Sequence, residues 1–493
     1  MSFVKTASAY GIADFVIKIV YFFTFPIFAN IFSLEDYGIL SLVLTGTAIC
    51  GVIANMGIET ALQRFYFELP EGTQQKRLVS TGLIVLIFSA TLTVGLMLSG
   101  LYFYQSWLPS GFVIPISMIV LGLAASLPLQ LIEYCQSVLR LQFLPWRFVA
   151  VALSQNLLAL SLSLLFAYYF SWGLKGYFLG VIIGICAVLP LPLWFIRDKI
   201  TFSFDFSVAK KMIKFGYPLV ILNIGYWIFG GLDRWLLAAL STIAEVGLYS
   251  IAFKFTTILQ FMVIAFGAAF VPYAMKLYNT EKNYRDSYVK ILTQWLFFLV
   301  VAYFGVGAFS QEALLFLTRE EYWAASQIVP ILSLGMVFYG VSRLLVIGFF
   351  IEKKTHHLSI AYWLGAGVNV VLGFLLVPSL GSKGAAIATS FAYLFIVLYQ
   401  LFFSQKLHPL PLEKYKLSCC IGLLVASYVF LEFVTQIPWG WHITFLKMSA
   451  LTCLIAIGFL LKIFHWSDVI QLAYKGLSRI RRVIGLENRT VKN

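Results

Sequence analysis

The sequence predicts an all-α integral membrane protein of fourteen transmembrane helices, built as two parallel six-helix repeats followed by two further helices. Three observations lead to this expectation. The chain is more apolar than water could solvate, its apolar runs have bilayer length, and two short motifs return at nearly the same offset.

Of 493 residues, 61% are hydrophobic and 11% are charged, and the mean hydropathy is +0.90. A soluble globular chain is about 45–50% apolar and about 25% charged. This chain has too few polar groups to cover itself in water, so its solvent is mostly lipid. The net charge of +14 then matters by where it lies along the chain. Six cysteines (Cys50, Cys135, Cys186, Cys419, Cys420 and Cys453) all lie in or at the ends of apolar runs. They read as small hydrophobes rather than a disulfide framework. Lys5 precedes an apolar run that is too long for a signal-peptide core, which predicts a retained first span.

A helix needs roughly 20 apolar residues to cross a bilayer core. Charges, Pro and Gly divide the chain into fourteen such runs: 7–32, 38–58, 78–104, 112–139, 147–170, 176–196, 216–241, 247–275, 287–309, 326–350, 358–378, 384–405, 415–435 and 443–464. With the N-terminus in the cytoplasm, 26 of the 35 Lys and Arg fall in cytoplasmic segments, six within spans, and only Lys175, Arg319 and Lys383 in external loops. That bias sets the orientation, and an even span count returns the C-terminus to the cytoplasm. The tail, 466–493, places Val469, Ile470, Ala473, Leu477, Ile480 and Ile484 at helical spacing, with Lys475, Arg479 and Arg482 largely off that stripe. It is expected to be a cytoplasmic amphipathic helix on the anionic leaflet. Trp107, Trp172, Trp323 and Trp439, near span ends, read as interfacial belts.

The repeat shows in LEDYGILS at 34–41 and IAEVGLYS at 243–250. Asp36, Gly38 and Ser41 match Glu245, Gly247 and Ser250 at an offset of 209. GLKG at 173–176 and GSKG at 381–384 match at 208. Agreement between two independent offsets argues for a duplicated six-span unit. Six is even, so both copies enter the membrane in the same direction. The expected domains are 1–200, 201–410, a two-helix appendage 411–465 and the tail. Asp36 and Glu245 read as caps at helix starts, where negative charge meets the positive end of the dipole.

These motifs, the 6+6+2 layout and Leu232-Asp233-Arg234 in the seventh span resemble the oligosaccharide flippases and polysaccharide biosynthesis transporters of the multidrug/oligosaccharidyl-lipid/polysaccharide exporter superfamily, the O-antigen type among them. The likeness covers essentially the whole chain. It implies a MATE-like fold, with two six-helix bundles around a cavity, and alternating access. It also implies flipping of a polyprenyl-pyrophosphate-linked oligosaccharide across the bacterial inner membrane for surface polysaccharide and lipopolysaccharide assembly. The implied partners are the lipid-linked oligosaccharide, membrane lipids and other polysaccharide-assembly membrane proteins, with no nucleic acid.

Ionisable residues inside spans are costly and mark functional candidates. Lys18, Arg234, Lys254 and Arg343 are expected to form a ladder of cations through the bilayer that passes a pyrophosphate head across. Asp14, one turn from Lys18, either neutralises it or binds H⁺ or Na⁺. Its counterpart in the second half is Asn223. Glu133 and Asp233 are candidates for ion coupling or charge pairing, whereas Lys447 and Glu432, near span ends, are expected to snorkel. No cofactor is expected beyond H⁺ or Na⁺ coupling.

No G-x-x-x-x-G-K-[ST] occurs, which excludes a P-loop ATPase. External loops are short, and the 310–325 loop, with Glu312, Arg319, Glu320 and Glu321, is the one candidate for membrane-enzyme chemistry. Three readings follow: an oligosaccharide flippase, a multidrug or peptidoglycan-precursor exporter of the same fold, and an integral-membrane sugar polymerase.

Overall fold

A computed structural model of the chain describes residues 24–104 and 114–463, together with 11, 16, 17 and 20. Asp14, Lys18, Trp107 and the expected tail helix at 466–493 lie outside the described residues. So does most of the expected first span, of which a helical end at 24–31 is described.

All regular structure among the described residues is helical. In chain order the helices are α1 (Leu34–Asn55), α2 (Ile58–Phe65), α3 (Thr73–Tyr104), α4 (Ile116–Leu141), α5 (Pro145–Tyr169), α6 (Gly173–Lys199) and α7 (Phe206–Leu240). They continue as α8 (Ile243–Thr280), α9 (Tyr284–Leu317), α10 (Val329–Ile351), α11 (His356–Leu407), α12 (Lys414–Val434) and α13 (Trp441–Leu460). All except the short α2, twelve in total, are long and apolar enough to cross a membrane. Most match expected runs and extend past them by a few residues, because hydrogen-bonded turns continue into the polar interface where hydropathy falls. The 52-residue α11 corresponds to two expected runs and breaks at Gly381, whose backbone is left-handed at φ 53° and ψ −131°. Large apolar side chains such as Phe88, Leu96, Phe374 and Phe433 are exposed, as a lipid solvent permits.

The described residues cluster into two compact units. Those up to Lys254, with Leu315–Ala325 and Tyr362–Thr389, form the first. Phe255–Leu314, Ser326–Ala361 and the residues from Ser390 on form the second. The repeat boundary at 200/201 lies inside the first unit. One core of the first unit gathers Ile58, Leu62, Leu86, Tyr134 and Val138. The second is centred on Trp295, Leu299, Tyr303 and Val337. There Trp295 stacks on Phe266 at 3.7 Å and donates Nε1–H to the Gly340 carbonyl at 3.1 Å.

The repeated motifs take the same local forms. The Ser33 hydroxyl accepts the Asp36 N–H at 3.1 Å, and Thr242, 209 residues on, accepts the Glu245 N–H at 3.3 Å. Each caps the start of its helix. The acids then diverge. Asp36 folds back on Ser33 to close a capping box. Glu245, one methylene longer, reaches the N–H of Ser382 at 2.8 Å beside the Gly381 turn. The two octets also touch each other reciprocally. A side chain at Gly38 would collide with the Ile243 carbonyl, and one at Gly247 with the Leu34 carbonyl. Ser250 Oγ donates to Ser41 Oγ at 2.7 Å. Equivalent residues of the two copies thus meet across a local pseudo-twofold, the pattern of a self-complementary contact. The second pair behaves alike. Gly173 and Gly381 both hold left-handed backbone, Gly176 presses on the backbone of α5 at Phe166, and Gly384 presses on the part of α11 before the Gly381 break, at Leu376.

The second unit carries a correction. Lys447 does not snorkel: it is fully buried, with Nζ 2.8 Å and 2.9 Å from the two carboxylate oxygens of Glu312 and 3.2 Å from Gln311 Oε1. Thr444 adds a hydroxyl to Glu312 at 3.1 Å. Glu312 lies within α9 rather than in an external loop and is engaged in this pair. The low dielectric around both groups makes a direct pair better than a long reach to water.

Candidate functional site

The seventh expected span, α7, loses regular α geometry at Ile228–Leu232, where one turn widens to a π-turn. Such turns free carbonyls and re-aim the side chains that follow. Asp233 and Arg234 come next, and both are buried. Arg234 Nη1 donates to the Gly230 carbonyl in the π-turn at 2.7 Å. Its guanidinium lies over the Phe253 ring at 4.6 Å and the Tyr249 ring at 5.5 Å, both on α8. Stacking on ring faces partly replaces lost hydration. Arg234 Nε is buried with no hydrogen-bond partner among the described residues.

Lys254 follows Phe253 on α8. It is exposed, and it is the next residue after the ring over which the Arg234 guanidinium lies. Arg234 and Lys254 both belong to the first unit, on α7 and α8. An unfilled guanidinium N–H in a buried site is a donor that an anion would satisfy.

Asp233 turns to other partners. The Tyr249 hydroxyl donates to its Oδ2 at 2.6 Å, and Thr389 Oγ1 lies 3.0 Å from the same oxygen. Asn369 Nδ2 donates to Thr389 at 3.1 Å, while Asn369 Oδ1 is buried without a hydrogen-bond partner among the described residues. A carboxylate and an unfilled amide oxygen thus share one buried polar cluster.

The remaining candidates are dispersed. Arg343 sits on α10 in the second unit, half-buried, with its guanidinium against Gly267 and no ion-pair partner among the described residues. Glu133, on α4, is half-buried and accepts from Gln130 Nε2 at 2.9 Å. It belongs to a network in which Asn55 Nδ2 donates to Glu59 at 2.9 Å and to Gln130 at 3.2 Å, and Ser137 donates to Glu59 at 2.7 Å.

Tyr249, Asn369, Thr389 and Glu59 were not singled out in the sequence. Tyr249 and Phe253 stand one turn apart, a signal for an aromatic face on α8. Asn369 is an uncharged polar residue in mid-span, and Thr389 is one hydroxyl among several. Glu59 falls one residue past an apolar run and so reads as loop.

The chain is a helical membrane protein with recurring motifs and ionisable residues within its spans. Its fold is that of the multidrug and lipid-flippase exporters. It matches a solved structure described as lipid II flippase MurJ in an inward closed conformation with a TM-score of 0.72 and 18% identity, over 93% of this chain and 99% of that one. It matches an inward-facing multidrug resistance MATE family transporter of the MOP superfamily with a TM-score of 0.63 and 12% identity, over 79% of this chain and 97% of that one. The chain belongs to the polysaccharide biosynthesis protein family, whose model matches residues 3–278. Among curated relatives, an uncharacterized membrane protein of Methanocaldococcus jannaschii is 26% identical over 53% of this chain and 54% of its own length. A probable low-salt glycan biosynthesis flippase of Haloferax volcanii, Agl15, is 19% identical over 47% of this chain and 50% of its own length. The chain thus spans about half the length of these relatives. Those of these proteins whose descriptions give a role are described as flippases or as a transporter.

Proposed function

We propose that the protein is a flippase that moves a polyprenyl-pyrophosphate-linked oligosaccharide from the cytoplasmic to the outer leaflet of a bacterial inner membrane by alternating access, with both termini in the cytoplasm. The observation that carries this reading is the buried Arg234 with its unfilled Nε–H, stacked on Phe253 within the spans, with Lys254 the next residue along α8. A pyrophosphate oxygen accepts from the guanidinium edge, and a second oxygen meets the ammonium. The isoprenoid tail remains in lipid while the head crosses. Arg343 of the second unit and Lys18 are further cation candidates, each to be tested alone.

Asp233, with the unfilled oxygen of Asn369, is our candidate for binding the coupling H⁺ or Na⁺. Asp14 and Glu133 are the other carboxylates for that role or for charge pairing. A multidrug exporter of organic cations would turn an open carboxylate to its substrate. Here the carboxylate is held by Tyr249 and Thr389, while the cation carries the free donor. That difference favours an anionic substrate. A peptidoglycan precursor shares the same pyrophosphate head, so the sugar decides between the two flippase readings.

The test is flipping of polyprenyl-pyrophosphate oligosaccharides in proteoliposomes, read with a membrane-impermeant sugar-modifying reagent. Wild type is expected to flip. Arg234→Gln and Lys254→Gln are expected to slow flipping at least about tenfold, the scale of one charge-assisted contact, with unchanged thermal stability. Flipping that survives both substitutions discards the site. Absence of flipping by wild type, across several glycans and lipid II, discards the flippase.

A further inference from the structure

At the positively charged end of the first unit, a pocket of about 570 Å³ opens between the end of α2 with its following turn, the start of α3 and the start of α7. Its wall is apolar: Phe65, Leu78, Met212 and Phe215 line it, and Phe65 meets Phe215 edge to face at 5.5 Å. Lys211 and Lys214 stand among its lining, three residues apart and so on neighbouring positions of one helical face. Both are exposed, and neither has an ion-pair partner among the described residues. The one acid of the lining, Glu68, is held in an ion pair by Arg64 one turn earlier. The two ammonium charges are therefore unbalanced beside an apolar wall.

The neighbouring linker fixes the level of this pocket. Thr201 N–H donates to Ser80 Oγ at 2.7 Å, Asp205 N–H donates to Thr81 at 3.2 Å, and Arg77 lies 3.6 Å from Asp205. These contacts pin Thr201 and Asp205 of the linker to the start of α3. Phe202, Phe204 and Phe206, the residues between and after them, are all exposed. Exposed aromatic rings flanked by Lys199 and Lys210 belong at the membrane interface.

We propose that this pocket binds an anionic phospholipid of the surrounding leaflet, with its phosphate on Lys211 and Lys214 and an acyl chain along Phe65 and Phe215. A soluble anion would leave the apolar wall wet, and a zwitterionic lipid would leave the lysine charges unbalanced. The site offers no guanidinium and no buried donor, unlike the Arg234 site, so it suits an abundant and weakly held lipid. It stands independently of what the protein transports.

The experiment uses the full chain in phosphatidylcholine nanodiscs with phosphatidylglycerol titrated in, and counts retained lipid by native mass spectrometry. Wild type is expected to retain phosphatidylglycerol in preference to phosphatidylcholine. Lys211→Gln/Lys214→Gln is expected to weaken that preference about tenfold or more. Lys211→Arg/Lys214→Arg, which keeps the charge, and Lys199→Gln/Lys210→Gln, which removes equal charge elsewhere, are expected to retain it. Equal loss in the last variant would mean a diffuse charge effect and overturn the site. So would full retention in the first variant. Displacement of phosphatidylglycerol by equimolar polyprenyl pyrophosphate would also overturn the assignment, giving the pocket to the substrate.

Discussion

Two cations in the spans meet the cost of burial in opposite ways. Lys447 is fully enclosed and held by both oxygens of Glu312. Removing one partner strands a buried charge, which costs about 3–5 kcal/mol, whereas removing both need not. Lys447→Met is therefore expected to destabilise the protein by about that amount in denaturant unfolding in detergent, and Lys447→Met/Glu312→Leu to recover most of it. Arg234 instead rests on two aromatic faces and keeps an N–H unfilled. Lysine has the charge but not the planar group that stacks and donates edge-on. Arg234→Lys is expected to fold normally and to lose flipping nearly as fully as Arg234→Gln. Equal activity in the lysine variant would mean that charge alone suffices.

At the level of helices, the octets of α1 and α8 pack through glycine against carbonyl on both sides of a local pseudo-twofold. Close backbone approach of this kind is a main source of helix association in lipid, where no hydrophobic force drives it. Gly38→Val and Gly247→Val are each expected to lower the midpoint of thermal unfolding, with Ser41→Ala, which keeps the backbone approach, costing little. The Ser41 and Ser250 hydroxyls are 2.7 Å apart. In a cysteine-free background, Ser41→Cys/Ser250→Cys is expected to cross-link under mild oxidation and stop flipping, with activity returning on reduction. Flipping that continues in the cross-linked protein would show that these helix starts stay together through the cycle.

For the whole molecule, orientation rests on the distribution of Lys and Arg. Lys210 and Lys175 are both exposed, and the charge bias assigns them to opposite sides of the membrane. An impermeant maleimide added to intact cells is expected to label Lys175→Cys and to spare Lys210→Cys until the cells are opened. The reverse pattern would invert the protein and, with it, the direction of the proposed flipping.

Much of the fold was legible along the chain. Hydropathy located the spans because a helix in lipid satisfies its own backbone, so each run of bilayer length carries its own signal. The recurring octets and Gly-x-x-Gly turns revealed the duplication because caps and left-handed turns demand particular residues at particular places. That the two octets touch each other was not legible, nor was the pairing of Asp233 with Tyr249 and Thr389 rather than with a cation. The sequence read Lys447 as a snorkelling lysine, and the folded chain buried it against Glu312. Each of these depends on how far a helix is rotated about its axis and which neighbour it meets. In a bilayer those quantities come from packing between helices, to which the apolarity of a single run is blind.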